Sequence, residues 1–323
     1  MLLIFIVGPT ASGKTEFALK AAQIGETKLG GPCEIISCDS IQVFADIELG
    51  TAKPSAQQLS QVPHHLLSFV PLKQAYTAGE YRRDALKVIA DGARRGVRAF
   101  FIVGGSGFYV QALQKGMFEI PAANLEVREK LLRQLKDQGL AALYAELTQK
   151  DPEYAKKIAA QDSYRILRGL EVWASLGRSM TQIQQEFAQK ENPNDLSRNH
   201  QILKLGLGVE RSELRQRVVN RTQQMLQSGW IQEVGRLQSL GLGACAAMQS
   251  VGYREIQNWL LENPGGSEVG TSELSHAIVT STMQLAKRQS TWFRRDTETH
   301  WLESESRWEK GLKSFNLLLA DLT

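Results

Sequence analysis

The sequence predicts a parallel α/β sheet interrupted by a mostly helical insertion, and three observations lead there. Short continuous apolar runs recur with helix-length segments between them. The first three runs stop abruptly at Gly or at Asp-Ser. Residues 118–201 then lose that pattern and take up helical spacing, after which a strand-like run returns. The first run, Leu2-Leu3-Ile4-Phe5-Ile6-Val7, is too short for a helix and reads as a strand buried on both faces. A helix-like segment, Thr15–Gln23, follows it. The second run, Glu34-Ile35-Ile36-Ser37-Cys38, ends at Asp39-Ser40, and the segment Ala78–Arg95 again has helical character. The third, Ala99–Val103, ends in Gly104-Gly105-Ser106-Gly107. Strand, crossover, strand is the signature of a parallel sheet.

Within 118–201, Leu131 and Leu135, and Leu140, Leu143 and Leu147, recur at helical spacing, and Asn192-Pro193-Asn194-Asp195 reads as a turn. The fourth strand-like run, Ile202–Val209, places this block inside a core expected from 1–117 and 202–323. Further helices are expected at Ser212–Ser228, Ile231–Leu240, Ser250–Leu261 and Ser272–Arg295. A length of 323 residues suits about two domains.

Hydrophobic residues at 42% and charged residues at 22% allow a real core and exclude collagenous or low-complexity chains. A net charge of +4 excludes a polycation. Cys33, Cys38 and Cys245 have neither disulfide-framework nor zinc spacing, which suits a reducing setting. The six-residue apolar start has no basic leader, so a soluble cytoplasmic chain without a membrane partner is expected.

Gly8-Pro9-Thr10-Ala11-Ser12-Gly13-Lys14-Thr15 fits the phosphate-loop pattern G-x-x-x-x-G-K-[ST], between a predicted buried strand and a predicted helix. Such a loop turns backbone N–H groups around a phosphate beside the positive end of a helix. Lys14 would add a point charge, and Thr15 a hydroxyl ligand for Mg²⁺. The core is therefore expected to be P-loop NTPase-like. Asp39 reads equally as a base or metal carboxylate at the sheet edge, or as an Asx turn. Gly104–Gly107 reads equally as a set of donors and a hydroxyl at that edge, or as a plain turn. Thr282–Arg295 carries Lys287, Arg288, Arg294 and Arg295, no acid, and the pair Trp292-Phe293. That composition suits phosphate contacts with base stacking. On this segment alone, a helix burying Trp292 and exposing its basic face is the expectation. Arg82–Arg98 holds six bases against two acids, whereas 118–201 balances twelve against twelve. Arg165 and Arg168 share a helical side, as surface arginines commonly do. The neighbours His64 and His65 point apart and do not suggest a metal site.

Taken in order, several segments resemble the bacterial tRNA dimethylallyltransferases (tRNA isopentenyltransferases). They are the phosphate loop 8–15, Ser37–Gln42, Gly50–Pro54, Pro63–Leu66, Tyr81–Ala85, Val251–Glu255 and Gln284–Gln289. The resemblance implies transfer of a dimethylallyl group from dimethylallyl diphosphate to N6 of adenosine 37 in tRNA, with Mg²⁺. It recasts the phosphate loop as a diphosphate site. Asp39 would act as general base; Ser106 and Arg221 would serve the diphosphate. The matching tRNA-holding segments are Asp39-Ser40-Ile41-Gln42 with Ser106, Arg128, Tyr164-Arg165-Ile166-Leu167-Arg168, Gln249-Ser250-Val251-Gly252-Tyr253-Arg254 and Thr282-Met283-Gln284-Leu285-Ala286-Lys287-Arg288-Gln289. The insertion would grip the anticodon stem of one tRNA per monomer. Ser106 stands where the family usually has Thr, as in related adenylate isopentenyltransferases that act on free AMP, ADP or ATP. That leaves free adenylate as the alternative acceptor.

Overall fold

The computed structural model describes residues 1–118, 124–189, 195–263, 271–302 and 307–320. Among them, strands β1 (Leu2–Val7), β2 (Cys33–Ser37), β3 (His64–His65), β4 (Ala99–Gly104), β5 (Gln201–Leu207) and β6 (His300–Leu302) form one sheet. Its order is β3-β2-β4-β1-β5-β6, and every neighbouring pair is parallel. All side chains of β1, β2 and β4 are buried, which is why these strands read as unbroken apolar runs. The fold is the α/β class that the sequence predicts.

The helices are α1 (Lys14–Leu29), α2 (Ala56–Leu59), α3 (Ala78–Arg95), α4 (Gly107–Lys115), α5 (Leu125–Lys150), α6 (Pro152–Ala155), α7 (Ser163–Leu176), α8 (Met180–Gln189), α9 (Arg211–Gln227), α10 (Trp230–Ser239), α11 (Tyr253–Glu262), α12 (Thr271–Arg294) and α13 (Arg307–Ala320). Helix α3 matches its predicted span because both ends are signalled locally. Thr77 and Glu80 form a capping box, and Gly96 closes the helix in the left-handed conformation. Helix α11 starts later than the predicted Ser250. Residues Ala246–Gln249 form a 3-10 turn, and Gly252 at φ 90° sets the entry to the helix. Strands β3 and β6 were not predicted: two and three residues are too short for a periodic pattern.

The chain divides into two compact units, one of Met1–Gln114 with Leu196–Thr323 and one of Lys115–Asp195. In the first, α1 and α13 bury Phe17, Leu19, Phe315 and Leu319 with Ile4, Ile6 and Phe101 of the sheet. A further cluster of that unit joins Val43, Phe44, Trp230, Tyr253 and Ile278. The second unit has its own core of Leu143, Leu147, Tyr154, Ile166 and Leu170. The turn expected at 192–195 falls mostly outside the described residues.

The basic stretch 82–98 is largely bound within the protein. Arg95 grips the buried Glu34 through both terminal nitrogens, at 2.5 and 2.8 Å, and also Asp91. Arg83 pairs with Asp84, and Arg94 with Asp91. His65 Nε2 donates to Glu34 as well, while His64 Nδ1 donates to the Val62 carbonyl. Among the described residues no cluster of three His, Cys, Asp or Glu could hold a metal. No helix of these residues is long and apolar enough to cross a membrane.

Candidate active site

The phosphate loop leaves β1 at Gly8 and enters α1 at Gly13, whose left-handed conformation supplies no side-chain cap. The first-turn N–H groups of α1 are thereby left for an anion. Lys14 Nζ donates to the carbonyls of Gly8 (3.0 Å) and Pro9 (2.6 Å), curling the loop around itself. Burial lowers the Lys14 pKa to about 8; the Asp39 carboxylate opposes that shift and the Arg221 guanidinium adds to it. Burial likewise lowers the pKa of Arg221, again opposed by Asp39. One carboxylate, one ammonium and one guanidinium therefore share a neighbourhood. Ser12 is buried, and its hydroxyl has no partner among the described residues. A buried polar group left orphaned beside free N–H donors suits a phosphate oxygen.

Two distant helices close on this loop. Arg221, from α9, donates to the Thr10 hydroxyl at 2.8 Å. Gln289, from α12, accepts from the Thr10 N–H at 2.8 Å and donates to the Gly105 carbonyl at 3.1 Å. Among the residues expected to hold tRNA, Gln289 is thus placed as a bridge between the phosphate loop and the turn after β4.

Asp39 follows β2 at the same sheet edge. Its Oδ1 accepts from the N–H of Ile41 (2.9 Å) and of Gln42 (3.3 Å), so the Asx turn forms. Among the described residues Oδ2 has no hydrogen-bond partner, so one oxygen is fixed and the other is available. Both readings of Asp39 are compatible in one side chain. The Gly104–Gly107 turn is spent partly on its own bracing. The Ser106 N–H donates to Cys38, while its hydroxyl accepts from Ser40 N–H (2.9 Å) and donates to Ser40 Oγ (3.2 Å). Gly104 has to be glycine, because a Cβ there would lie 1.8 Å from the Cys38 carbonyl oxygen. That close approach sets Ser106 beside Asp39-Ser40.

Gln42 is turned inward. Its amide donates to the carbonyls of Thr51 and Ala52 and its oxygen accepts from Ser37. Lys53 donates to the carbonyls of Phe44 (2.6 Å) and Ile47 (2.5 Å). Trp230 is wedged between two chain segments: a Cβ at Gly50 would sit 2.3 Å from its indole, and one at Gly252 2.0 Å. Glu233 accepts from the N–H groups of Glu48 and Leu49 and from Tyr253 Oη, which itself accepts from Gly50 N–H. The segments Gly50–Lys53 and Gly252–Tyr253 therefore brace one another. Glu233 and Trp230 carry this bracing, and no sequence spacing signals them.

The side chains of Ile166, Leu167, Tyr253, Thr282 and Ala286 are buried, so these positions build their segments rather than offer contact surface. Gln249, Arg254, Gln284, Lys287 and Arg288 are exposed, and Ser250, Val251, Met283 and Leu285 half-buried. Arg254 pairs with Glu255 at 2.7 Å. In the helical unit, Arg128 and Arg168 converge on Glu171, which is 1% exposed, at 2.5 and 3.3 Å. Tyr164 is 67% exposed, and Arg165 pairs with Asp162. Trp292 departs from expectation. It is Phe293 that is buried, at 2% exposure, while Trp292 is 42% exposed. Adjacent helix positions point about 100° apart, and the core selected the other aromatic. A small hollow of about 20 Å³ opens beside Thr15, Ser37, Gln42 and His64.

Residues 42–296 match the family model described as IPP transferase. The tRNA dimethylallyltransferase of Bdellovibrio bacteriovorus is 39% identical over 305 residues, 94% of each chain. That of Geobacter metallireducens is 38% identical, over 97% of this chain and 96% of its own. Among solved structures, the tRNA isopentenylpyrophosphate transferase of Bacillus halodurans superposes with a TM-score of 0.66 at 27% identity, covering 99% of this chain and 95% of that one. A eukaryotic dimethylallyltransferase acting on tRNA gives 0.78 at 25% identity, covering 99% and 78%. With both the matched span and the shared identity running through most of its length, this chain belongs to the IPP transferase family.

Proposed function

We propose that this enzyme transfers a dimethylallyl group from dimethylallyl diphosphate to N6 of adenosine 37 in tRNA, releasing diphosphate. The observation that carries this reading is the convergence of Lys14, Arg221 and the loop N–H groups with Asp39 at one sheet edge. The exocyclic amine attacks C1 of the prenyl group, the C1–O bond breaks, and the amine proton passes to Asp39 Oδ2. Charge builds on the departing diphosphate, and fixed donors aimed there lower the barrier by about 3–4 kcal/mol each in comparable sites. Lys14, Arg221, the orphan Ser12 hydroxyl and the α1 N-terminus are the donors this chain offers.

The site also suits Mg²⁺. A phosphate-loop Thr15, with no cluster of three His, Cys, Asp or Glu among the described residues, fits an ion that diphosphate oxygens would help to hold, with the Thr15 hydroxyl as the protein ligand. When bound, such an ion would neutralise charge on the leaving group. A stacked base cannot present N6 to the site, so the adenosine is extruded, at a cost of a few kcal/mol that is lowest in a single-stranded loop. The helical block 118–201 would then hold the anticodon stem by phosphate and shape contacts, one tRNA per chain.

Incubation with labelled dimethylallyl diphosphate and either tRNA or AMP tests this. Label on adenosine 37 of tRNA is the expected result. Label on AMP alone would establish the adenylate enzyme instead, the reading to which Ser106 lends support.

A further inference from the structure

We propose that Trp292 and Phe108 form a stacking platform for an unpaired RNA base adjacent to the target adenosine; this rests on the tRNA reading above. Both aromatics are exposed, Trp292 at 42% and Phe108 at 53%. The indole lies against the turn after β4: a Cβ on Gly107 would be 2.2 Å from its Cδ1. Phe108 is the next residue, and Ser106 precedes Gly107. On α12, Trp292 is one turn beyond Gln289, which bonds both Thr10 and Gly105. The two rings thus border the turn that carries Ser106 and contacts Asp39-Ser40.

The surroundings specify what these rings meet. Arg288 lies four residues before Trp292 on the same helical side. Lys287, Arg288 and Arg295 are exposed and form no ion pair among the described residues, and no acid occurs between Thr282 and Arg295. Arg294 differs, being stacked over Trp301 at 4.8 Å. An exposed indole framed by unpaired cations is complementary to a polyanion with flat bases. A single-stranded loop is such a ligand: phosphates meet the cations while one base covers the ring. Extruding the target adenosine separates its neighbours, and a platform beside the entry gives one of them a new stacking partner.

The test couples protein and RNA. A labelled anticodon stem–loop is prepared intact, or with an abasic sugar immediately 5′ or 3′ of the target adenosine. Its affinity is measured for the wild type, Trp292→Ala, Trp292→Phe and Phe108→Ala. An abasic site at one neighbour should weaken wild-type binding about 10-fold. Trp292→Ala should weaken the intact RNA by a similar factor, with no further loss when both changes are combined. Trp292→Phe should restore most of the affinity. Losses that multiply at both neighbours would overturn the platform. If Trp292→Ala unfolds, judged by its thermal transition, Phe108→Ala carries the same cycle. The parent reading fails separately: a wild type that transfers no prenyl group to the intact stem–loop refutes tRNA as acceptor. Transfer with multiplying losses refutes the platform alone.

Discussion

If the phosphate loop binds diphosphate as proposed, Lys14 should make that binding sensitive to pH in a calculable way. Burial lowers its pKa to about 8, so near that pH half the lysine is uncharged. The protonated form is the one disfavoured before binding, and it is the form that attracts diphosphate. Binding therefore raises the Lys14 pKa and draws in a proton. Below pH 8 the lysine is already charged, and affinity should be independent of this group. Above pH 8 affinity should fall by up to tenfold per pH unit, about 1.4 kcal/mol, until the pKa of the bound state is reached. Phosphate oxygens do not confuse the profile, because their last pKa is about 6. The assay is calorimetric titration of dimethylallyl diphosphate into protein saturated with a stem–loop carrying inosine at the target position, which blocks turnover. Titrations at pH 8 in buffers of different ionisation enthalpy should show uptake of about half a proton. Lys14→Met should abolish that uptake. Binding heats indifferent to buffer in the wild type would refute the reasoning.

Three further outcomes are expected. Asp39→Asn keeps the Asx turn but removes the proton acceptor, so single-turnover transfer should slow by about 10²–10⁴-fold while tRNA affinity changes little. Gly252→Ala drives a methyl into Trp230 at a positive-φ position, and urea denaturation should register a loss of about 1–3 kcal/mol or more. Glu171→Gln leaves Arg128 and Arg168 without their buried carboxylate. A stability loss of about 3–5 kcal/mol in the helical unit is expected, visible as an earlier urea transition.

Local signals and long-range packing divide what could be read from the sequence. Strands β1, β2 and β4 and helix α3 were legible because burial on both faces, caps and left-handed glycines write themselves into neighbouring residues. The phosphate loop was legible for the same reason. The bridge made by Gln289 was not, since nothing in residues 282–289 indicates a partner at Thr10. Glu233 escaped notice because its partners Glu48, Leu49 and Tyr253 come from two other segments. For Trp292 and Phe293, composition could not say which ring the core would take, and only the rotation of α12 decides it. The arginines at 83, 94 and 95 show the converse: a basic stretch in sequence became a set of ion pairs, of which only that of Arg95 reaches a buried carboxylate.

The bond from Thr10 to Gln289 spans 279 residues. During synthesis the phosphate loop is made 279 residues before its clasp. A partly translated chain can therefore hold the strand and the loop yet lack the group that fixes the loop against Gly105. Contacts of such sequence separation form late and slowly. Competence for chemistry should accordingly arrive as one of the last events of folding. Nascent or truncated chains would then be unable to consume prenyl donor or to engage RNA unproductively.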